Sequence, residues 1–379
     1  MKKYKINFSK GRIGEARERL SLAFQHRTGD CIPFFFNMMA KPREVFNYKD
    51  LAVDHEKALQ LQVERWNLQF KLFPDCDVVP NFNMGDTGQG VIPSMFGAEN
   101  ISNDYGPPFT EGRIIKNLEE DLPRLPKKID PFHDGWGPLC LERLKFFLEA
   151  TDGEVPCMYL DHQSPFGLAA KLIDGTQLMM EMYDHPDLVK ELFKIVTDAM
   201  IDTIKAQREV ACSPELLIGS GWQPDFYNHL TIWDDFVSVI KPEQYEEFCK
   251  EPNERLFREF GSGHLHTCGP VFPESILEVM MKTEGCDSID LTALRGETRT
   301  KEDTLKLKEI IRGKCVCIGS LAEIHETTPD TEVLAKARGQ IDLAYLKRMN
   351  EQGGFIWVEQ LDSVEEGKKF LKMAENACR

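Results

Sequence analysis

Short apolar runs alternate with longer amphipathic segments along most of this chain, and this alternation is the feature that most constrains its fold. Each run has the composition of a strand buried on both faces, and the following segment has apolar residues at helical spacing. The runs predicted as strands lie at residues 32–36, 77–83, 156–160, 216–219, 264–268, 286–291, 315–318 and 354–358. About eight strands, each followed by a helix, are typical of a (β/α)8 TIM barrel, an α/β fold. An open, doubly wound sheet is the alternative architecture.

The chain is longer than such a barrel requires. It has 379 residues, whereas a typical barrel has about 250. An N-terminal helical extension over residues 1–30 and an insertion near residues 91–131, rich in Gly, Pro and Asn, account for the excess. We therefore predict one domain over residues 1–379, with the insertion as an excursion or lid rather than a linker between domains.

The charge balance argues against several classes of partner. The formal net charge is -16, which disfavours binding to nucleic acid phosphates or to an anionic membrane surface. No apolar run is long enough to span a bilayer, and no apolar segment follows the basic N-terminus as in a secretory signal. The 11 cysteines are scattered, which indicates free thiols in a reducing compartment. We therefore expect a cytoplasmic protein that acts on a small molecule.

A His-x-Cys pair on the predicted strand 264–268 is the strongest candidate for a chemical site. Because strand side chains alternate, His264, His266 and Cys268 share one face. Imidazole and thiolate are preferred zinc ligands, so His266 and Cys268 can supply two corners of a tetrahedron. His264 lies deeper in the strand, where a histidine more often makes a core hydrogen bond or orients a ligand. A zinc site needs further ligands from elsewhere in the chain.

Polar residues follow most of the predicted strands, at the end where the active site of a barrel lies. Glu359, after the last strand, is the first candidate for a third zinc ligand, and Asp290 is the second. A charged residue just beyond a strand is also commonly a solvated loop residue, and this simpler interpretation competes with the first. The other residues predicted at the barrel mouth are Asn81, Asn83, Asp161, His162, Ser220, Trp222, Thr292 and Ser320.

Asp161 and His162 are neighbours and could form a general base and the group that orients it. Successive strand residues point to opposite faces, however, so at most one of the two faces the mouth. The candidate catalytic residues are Asp161 and Asp290, and the candidates for substrate binding are Asn81, Asn83, His162, Trp222 and Tyr227.

Several stretches of the chain resemble the uroporphyrinogen decarboxylase superfamily. The matching stretches are residues 164–169, 174–175, 232–236, 242–248, 264–269 and 284–287. The similarity covers most of the chain from about residue 156 onward. This superfamily has a (β/α)8 barrel fold. It contains the decarboxylase itself and zinc-dependent methyltransferases, which move a methyl group between a corrinoid carrier and coenzyme M, tetrahydrofolate or methylated substrates.

The resemblance is closer to the methyltransferases than to the decarboxylase. The decarboxylase carries an arginine-rich segment after its first strand that holds the carboxylates of its substrate, and residues 36–43 of this chain lack that pattern. The methyltransferases have a His-x-Cys zinc motif, which His266 and Cys268 match. They usually have a further cysteine near the last strand, where this chain has Glu359 instead.

The resemblance therefore implies a zinc-dependent methyltransferase that works with a separate corrinoid protein. Its other substrate would be a small methylated compound, or a thiol or tetrahydrofolate acceptor. Zinc would be held by His266, Cys268 and Glu359, with a fourth position open for the substrate. Trp222 and Tyr227 would form part of an apolar wall around that substrate.

Two alternatives remain open at this point. The first is a metal-independent decarboxylase or lyase of a small carboxylic acid, with Asp161 or Asp290 as its polar group. The second is a non-catalytic barrel that binds a ligand at the same mouth.

Overall fold

The computed structural model describes most of the chain and shows the mixed helix and strand content of an α/β fold. The described residues are 1–27, 29–38, 47–74, 76, 78–84, 87–104, 106–219, 230–267, 274–292, 301–311, 313–319, 341–361 and 363–378. Within these ranges the description of residues 37–38, 290–292, 315–319, 358 and 360 is confined to the backbone.

The main sheet of the described residues is parallel and six-stranded, with the strand order β1-β10-β9-β8-β7-β6. Its strands are β1 (Phe34–Met38), β6 (Leu230–Trp233), β7 (Gly263–His266), β8 (Cys286–Thr292), β9 (Cys315–Gly319) and β10 (Phe355–Leu361). Both faces of this sheet are covered, and side chains such as those of Ile289 and Ile356 are buried. Burial on both faces explains why the strands have continuous apolar sequences. Parallel pairing requires a crossover between successive strands, and helices supply it.

A second, shorter pair of parallel strands lies between the N-terminal region and this sheet. It consists of β4 (Cys157–Met158) and β5 (Leu217–Ile218). Two isolated parallel bridges extend it, because Phe82 pairs with Cys157 and Gln163 pairs with Trp233 of β6. The described strands do not form a closed sheet. The prediction of an α/β fold is thus confirmed at the level of its strands and helices.

The helices of the first half surround the N-terminal strands. They are α1 (Lys10–Phe24), α2 (Tyr48–Val53), α3 (His55–Leu72), α4 (Val91–Met95), α5 (Leu118–Asp121) and α6 (Gly137–Ala150). Side-chain caps fix several of their starts: Asp54, for example, accepts a hydrogen bond from the N–H of Lys57 at 2.9 Å. The predicted N-terminal helix is α1, which packs against β10.

The predicted insertion at residues 91–131 has secondary structure of its own. It begins with α4, continues through an antiparallel hairpin of β2 (Glu99–Ile101) and β3 (Phe109–Glu111), and includes α5. The apolar side chains of Val91, Ile92 and Leu118 are buried. The segment is therefore packed onto the rest of the domain.

The helices of the second half lie beside the strands that they connect. They are α7 (Pro165–Leu172), α8 (Gly175–Asp184), α9 (Pro186–Ala211), α10 (Pro242–Gln244), α11 (Lys250–Phe260), α12 (Glu274–Met280), α13 (Lys301–Ile310), α14 (Leu343–Glu351) and α15 (Val364–Ala377). A π-helical turn over Tyr245–Cys249 joins α10 to α11. Short 3₁₀ helices occur at Leu122–Arg124, Pro214–Leu216 and Asp235–Ser238.

Several details of the strands differ from the sequence prediction. Within the described residues, the run predicted at 77–83 forms an isolated bridge at Phe82 and not a strand, and the insertion contains the unpredicted strands β2 and β3. The strand β6 was not predicted. In the sequence, residues 232–236 were interpreted only as part of a motif that precedes a helix. The last strand, β10, extends to Leu361, so Glu359 lies inside the strand and not beyond its end. No helix within the described ranges combines the length and apolarity that crossing a membrane would require.

Candidate functional site at the carboxyl ends of the strands

The orientation of β7 follows from the glycine that begins it. A Cβ atom at Gly263 would collide with the ring of Phe257 in α11, so this position faces the helix. Side chains alternate along a strand, so Leu265 also faces α11, while His264 and His266 lie on the opposite face. The predicted shared face of the two histidines is therefore present in the structure.

His264 is tied to the neighbouring strand. Its Nδ1 lies 2.8 Å from the hydroxyl of Ser288 in β8, and both side chains are buried. A buried histidine with a hydroxyl partner from the next strand has a structural contact that fixes its ring. This agrees with the prediction that His264 makes a core hydrogen bond.

His266 lies at the carboxyl end of β7, where its imidazole is buried against an indole ring. The ring centroids of His266 and Trp233 are 3.9 Å apart. The main-chain carbonyl of His266 accepts a hydrogen bond from the N–H of Asp234 at 2.8 Å. The end of β6 thus holds both the ring and the backbone of His266, which leaves this candidate metal ligand little freedom of orientation.

Five of the other residues predicted at the site or the barrel mouth lie outside the described residues, namely Ser220, Trp222, Tyr227, Cys268 and Ser320. For Asp290 the backbone alone is described, and it lies within β8. Leu265 of β7 pairs with Ile289 of β8, so the next residues in register are His266 and Asp290. Within the described part of the chain, no three His, Cys, Asp or Glu side chains are grouped as metal ligands would be.

Glu359 lies on the opposite face of the sheet from His264. The register runs through the pairs His264↔Ser288, Ser288↔Cys315 and Cys317↔Ile356. Residues that pair in register, or lie two apart on one strand, share a face, so Ile356 shares the face of His264. Glu359 is three residues from Ile356, an odd spacing, and therefore belongs to the other face.

The contacts of Glu359 agree with this assignment. The indole N–H of Trp357 donates a hydrogen bond to Oε1 of Glu359 at 2.6 Å, and both side chains are buried. The Trp357 ring packs on Phe370 of α15, with centroids 4.9 Å apart. The charge of Glu359 also contributes, after burial, to the raised pKa of Tyr345 in α14. Glu359 is thus a buried group between β10 and the helices; its role as a zinc ligand stays a prediction.

Asp161 and His162 lie beyond the end of β4, and the two side chains have different surroundings. His162 is fully buried, and its Nε2 lies 3.2 Å from Nε2 of Gln207 in α9. The Gln207 Oε1 accepts a hydrogen bond from the main-chain N–H of Leu160, so its amide nitrogen faces the imidazole as a donor. Burial lowers the pKa of His162 to about 3, which keeps the ring neutral. This histidine supports the packing of α9; its predicted contact with substrate remains untested.

Asp161 is half-buried among polar side chains instead. The amide of Gln163 donates a hydrogen bond to Oδ1 of Asp161 at 3.2 Å. Burial raises the pKa of Asp161, while hydrogen bonds from Gln163 and Gln89 and the charge of Lys171 oppose this shift. The ammonium of Lys171, in α7, donates to Oε1 of Gln89 at 2.9 Å. The amide of Gln89 therefore connects a lysine to the candidate catalytic carboxylate.

Asp234 is a functional candidate that the sequence analysis did not select. It is fully buried, and Oδ2 accepts a hydrogen bond from the amide of Asn253 in α11 at 3.0 Å. Burial raises the pKa of Asp234 to about 6, against the opposing effects of Asn253 and Ser164. The adjacent residues Asp234 and Asp235 could have drawn attention in the sequence, but they do not follow a predicted strand. Lys171 gave no signal, because a lysine in the last turn of a helix is ordinary.

The two candidate asparagines have mainly backbone contacts near α3. The carbonyl of Asn81 accepts a hydrogen bond from the indole of Trp66 at 2.6 Å. Gln62 contacts the backbone of Asn83 twice, accepting from its N–H at 2.6 Å and donating to its carbonyl at 3.0 Å. These contacts fix the segment before the insertion, and the predicted substrate contacts of Asn81 and Asn83 remain untested.

The structure thus defines an α/β protein in which three polar side chains, Asp161, Asp234 and His266, lie at or beyond the carboxyl ends of β4, β6 and β7, respectively. A family model described as uroporphyrinogen decarboxylase (URO-D) matches residues 84–223. That range includes Gln89, Asp161 and Lys171 but ends before His266. No curated protein sequence matches the chain at a significant level.

The fold is shared with solved structures. Matches are found to 27 chains. One is a methyltransferase from Methanosarcina mazei, with a TM-score of 0.63 and 17% sequence identity, covering 96% of this chain and 98% of that one. The predicted resemblance to the uroporphyrinogen decarboxylase superfamily is confirmed by the family match over residues 84–223, and the structural likeness, at 17% identity, shows the fold alone.

Proposed function

We propose that this chain is an enzyme of the uroporphyrinogen decarboxylase superfamily, and specifically a zinc-dependent methyltransferase. It would move a methyl group between a corrinoid protein and either a small methylated substrate or a thiol or tetrahydrofolate acceptor. The observation that carries the proposal is the placement of His266. Its buried imidazole stands at the carboxyl end of a parallel strand, on the face away from α11, two residues before a cysteine.

The corresponding proposal for the fold is a (β/α)8 barrel within a single domain. Parallel pairing is continuous from β1 to β6, and the bridge between Trp233 and Gln163 continues it toward β4. On the far side of β4, Cys157 pairs with Phe82. Closure would need only the segment around Phe82 to lie beside β1, which would place all strand carboxyl ends at one mouth.

The residues proposed to hold zinc are His266, Cys268 and a carboxylate. The donor chemistry fits, because a buried imidazole fixed by neighbouring groups and a nearby thiolate are suited to this metal. The sequence offered Glu359 first and Asp290 second as the carboxylate. The backbone of Asp290, next in register to His266, favours the second choice, while Glu359 already accepts a hydrogen bond from Trp357 on the other face. When bound, zinc would supply Lewis acidity toward the heteroatom of the substrate.

The other residues of the site would bind and orient. Trp233 provides a flat apolar surface against the ring of His266, which excludes water from that side. Asp161 is held by the amide of Gln163 and is half-buried, so it can accept a hydrogen bond from a polar substrate without itself being mobile. The corrinoid would be carried by a separate partner protein, and we propose a cytoplasmic location for both.

The decisive test is zinc content together with methyl transfer. We expect stoichiometric zinc in the purified wild-type protein, together with methyl transfer from methylcobalamin to a small thiol. The variants His266→Ala and Cys268→Ala should lose both the zinc and the methyl transfer. His185→Ala, an exposed histidine, and Cys157→Ala, a buried strand cysteine, are the matched controls and should retain both properties. Zinc-free wild-type protein with full transfer activity would refute the proposal.

A metal-independent decarboxylase or lyase is the second candidate, and one observation favours it. Asp161 has a pKa raised by burial and is connected to Lys171 through Gln89, an arrangement suited to proton transfer. That enzyme would release carbon dioxide from a small acid after chelation of all metal. Its activity would disappear in Asp161→Asn and persist in His266→Ala, which is the reverse of the pattern expected for zinc-dependent transfer.

A further inference from the structure

A group of charged and amide side chains is connected to His266 through Trp233, and the proposed metal chemistry does not account for it. We name it the mixed-charge cluster, and it consists of Gln89, Arg113, Asp161, Gln163, Lys171 and Asp235. Its position is fixed by the bridge between Gln163 and Trp233, since the Trp233 ring contacts His266. The cluster therefore adjoins the candidate metal ligand at the carboxyl ends of β4 and β6.

Glutamine amides connect the oppositely charged side chains of the cluster by hydrogen bonds. Lys171 donates to Gln89 at 2.9 Å, and Gln163 donates to Asp161 at 3.2 Å. Gln89 also hydrogen bonds to Asp161. Burial lowers the pKa of Lys171, whereas the charge of Asp161 raises it, so the two groups support each other's ionised forms. Both are only half-buried, which leaves them accessible to a ligand.

Two further members of the cluster have buried polar atoms of opposite character. Nε of Arg113, a donor, and Oδ1 of Asp235, an acceptor, are both buried and have no hydrogen-bond partner among the described residues. Both side chains act electrostatically on Lys171: the charge of Arg113 lowers its pKa and that of Asp235 raises it. The other end of the Arg113 guanidinium donates from Nη1 to the carbonyl of Gly112 at 2.7 Å, so the unsatisfied groups are one buried donor atom and one buried acceptor atom. Leaving both unsatisfied is costly in a structure that serves folding alone.

A ligand that satisfies this cluster must itself carry both kinds of group. The arginine and lysine call for an anionic acceptor such as a carboxylate, because guanidinium and ammonium groups are donors only. Asp161 and Asp235 call for a cationic donor such as an ammonium group. The two carboxylates of the cluster would repel a simple anion, and its arginine and lysine would repel a simple cation.

We propose that the mixed-charge cluster is the substrate subsite and that it binds a small ammonium carboxylate, such as an N-methylated amino acid. This inference rests on the proposed function and adds the substrate class to it. The carboxylate of the ligand would lie near Arg113 and Lys171. Its ammonium group would lie near Asp161 and Asp235, on the side of the cluster that adjoins His266 through Trp233.

The test compares three matched ligands by isothermal titration calorimetry on the full-length protein as purified. N,N-dimethylglycine carries both charges, dimethylammonium carries the cation alone, and acetate carries the anion alone. We expect N,N-dimethylglycine to bind at least about tenfold more tightly than either single ion, because it engages two charge-assisted contacts. Equal affinity for all three, or no measurable binding of N,N-dimethylglycine, would overturn the proposal.

Two variants test which residues bind the carboxylate and which bind the ammonium group of the ligand. Lys171→Met should weaken binding of N,N-dimethylglycine and acetate about tenfold and leave dimethylammonium unchanged. Asp161→Asn should weaken N,N-dimethylglycine and dimethylammonium and leave acetate unchanged. Lys171→Arg keeps the charge and should restore most of the affinity, which guards against a variant that merely unfolds.

The matched controls are Lys194→Met and Asp187→Asn, both on the exposed surface of α9, and neither should alter the affinity for any of the three ligands. If the two cluster variants behave like these controls, the subsite assignment is wrong. Zinc content and methyl transfer from methylcobalamin to a thiol, measured on the same preparations, report separately on the proposed function. A zinc-containing, active protein that does not discriminate among the ligands would refute the subsite alone.

Discussion

Two regions of this molecule hold polar side chains close to apolar strands, and they differ in what surrounds those side chains. In the helix-facing region, Glu359 and His162 are fully buried and contact Trp357 and Gln207, respectively. In the mixed-charge cluster, Asp161 and Lys171 are half-buried and are connected through the amide of Gln89, while the buried amide of Gln163 donates a hydrogen bond to Asp161.

The difference teaches that a polar residue near the end of a strand can serve either of two purposes. A fully buried group with a specific partner contributes to stability, because its removal leaves the buried partner without a hydrogen bond. A half-buried group among other charges contributes little to stability and is available to a ligand. The comparison therefore predicts that substitutions in the two regions have opposite consequences.

The largest effect is expected for Glu359→Ala. This change leaves the buried indole N–H of Trp357 without its acceptor and opens a cavity, at a cost of about 3 kcal/mol in the free energy of unfolding. Glu359→Gln retains an acceptor oxygen and should cost less than about 1 kcal/mol. Urea denaturation measures both, and zinc content should remain unchanged in both variants. Loss of zinc without loss of stability would show that Glu359 is a metal ligand, and the two regions would then not differ as described.

A smaller effect is expected from the titration of His162. Its pKa in the folded protein is about 3, below the ordinary value of 6.5. The unfolded chain therefore takes up a proton that the folded protein does not, so stability present above pH 6.5 is lost as the pH falls. Between pH 6.5 and 5 the loss amounts to about 2 kcal/mol.

This pH dependence is measured by urea denaturation at the two pH values. His162→Gln should lose about 2 kcal/mol less than the wild type over this interval. An unchanged slope in His162→Gln would mean that this imidazole is not held neutral by burial.

The smallest effect on stability is expected in the mixed-charge cluster. Lys171→Met and Asp161→Asn should each change the free energy of unfolding by less than about 1 kcal/mol, because each removes a half-buried charge and its desolvation cost together. Urea denaturation at neutral pH provides the measurement. A loss as large as that of Glu359→Ala would show that the cluster serves folding, and the two regions would no longer differ.

The sequence predicted much of the fold because its signals are local. Helical spacing identified α1, α3, α6 and most later helices, and the break between α8 and α9 lay where His185 precedes Pro186. The strand β6 was missed because it has only four residues, and residues 232–236 were interpreted only as part of a motif that precedes a helix. Barrel closure remains a proposal, since it depends on pairs between residues far apart in the chain.

The site was predicted in part for the same reason. The shared face of His264 and His266 follows from alternation within one strand, and the structure agrees with it. The different surroundings of Asp161 and His162 do not follow from the same rule, because both residues lie beyond the end of β4. The partners of these residues could not be predicted: Lys171 reaches Asp161 through Gln89, and the hydrogen bond between Lys171 and Gln89 spans 82 residues of sequence.

The sequence by itself determined the alternation of strand and helix, the resemblance to a superfamily, and the His-x-Cys motif, because each is encoded in neighbouring residues. Only the tertiary structure decided which face of β10 carries Glu359 and which helix receives His162. Alternation within a strand sorts side chains into two sets. The packing of distant elements, such as Phe370 on Trp357 and Phe257 on Gly263, decides which set meets the helices.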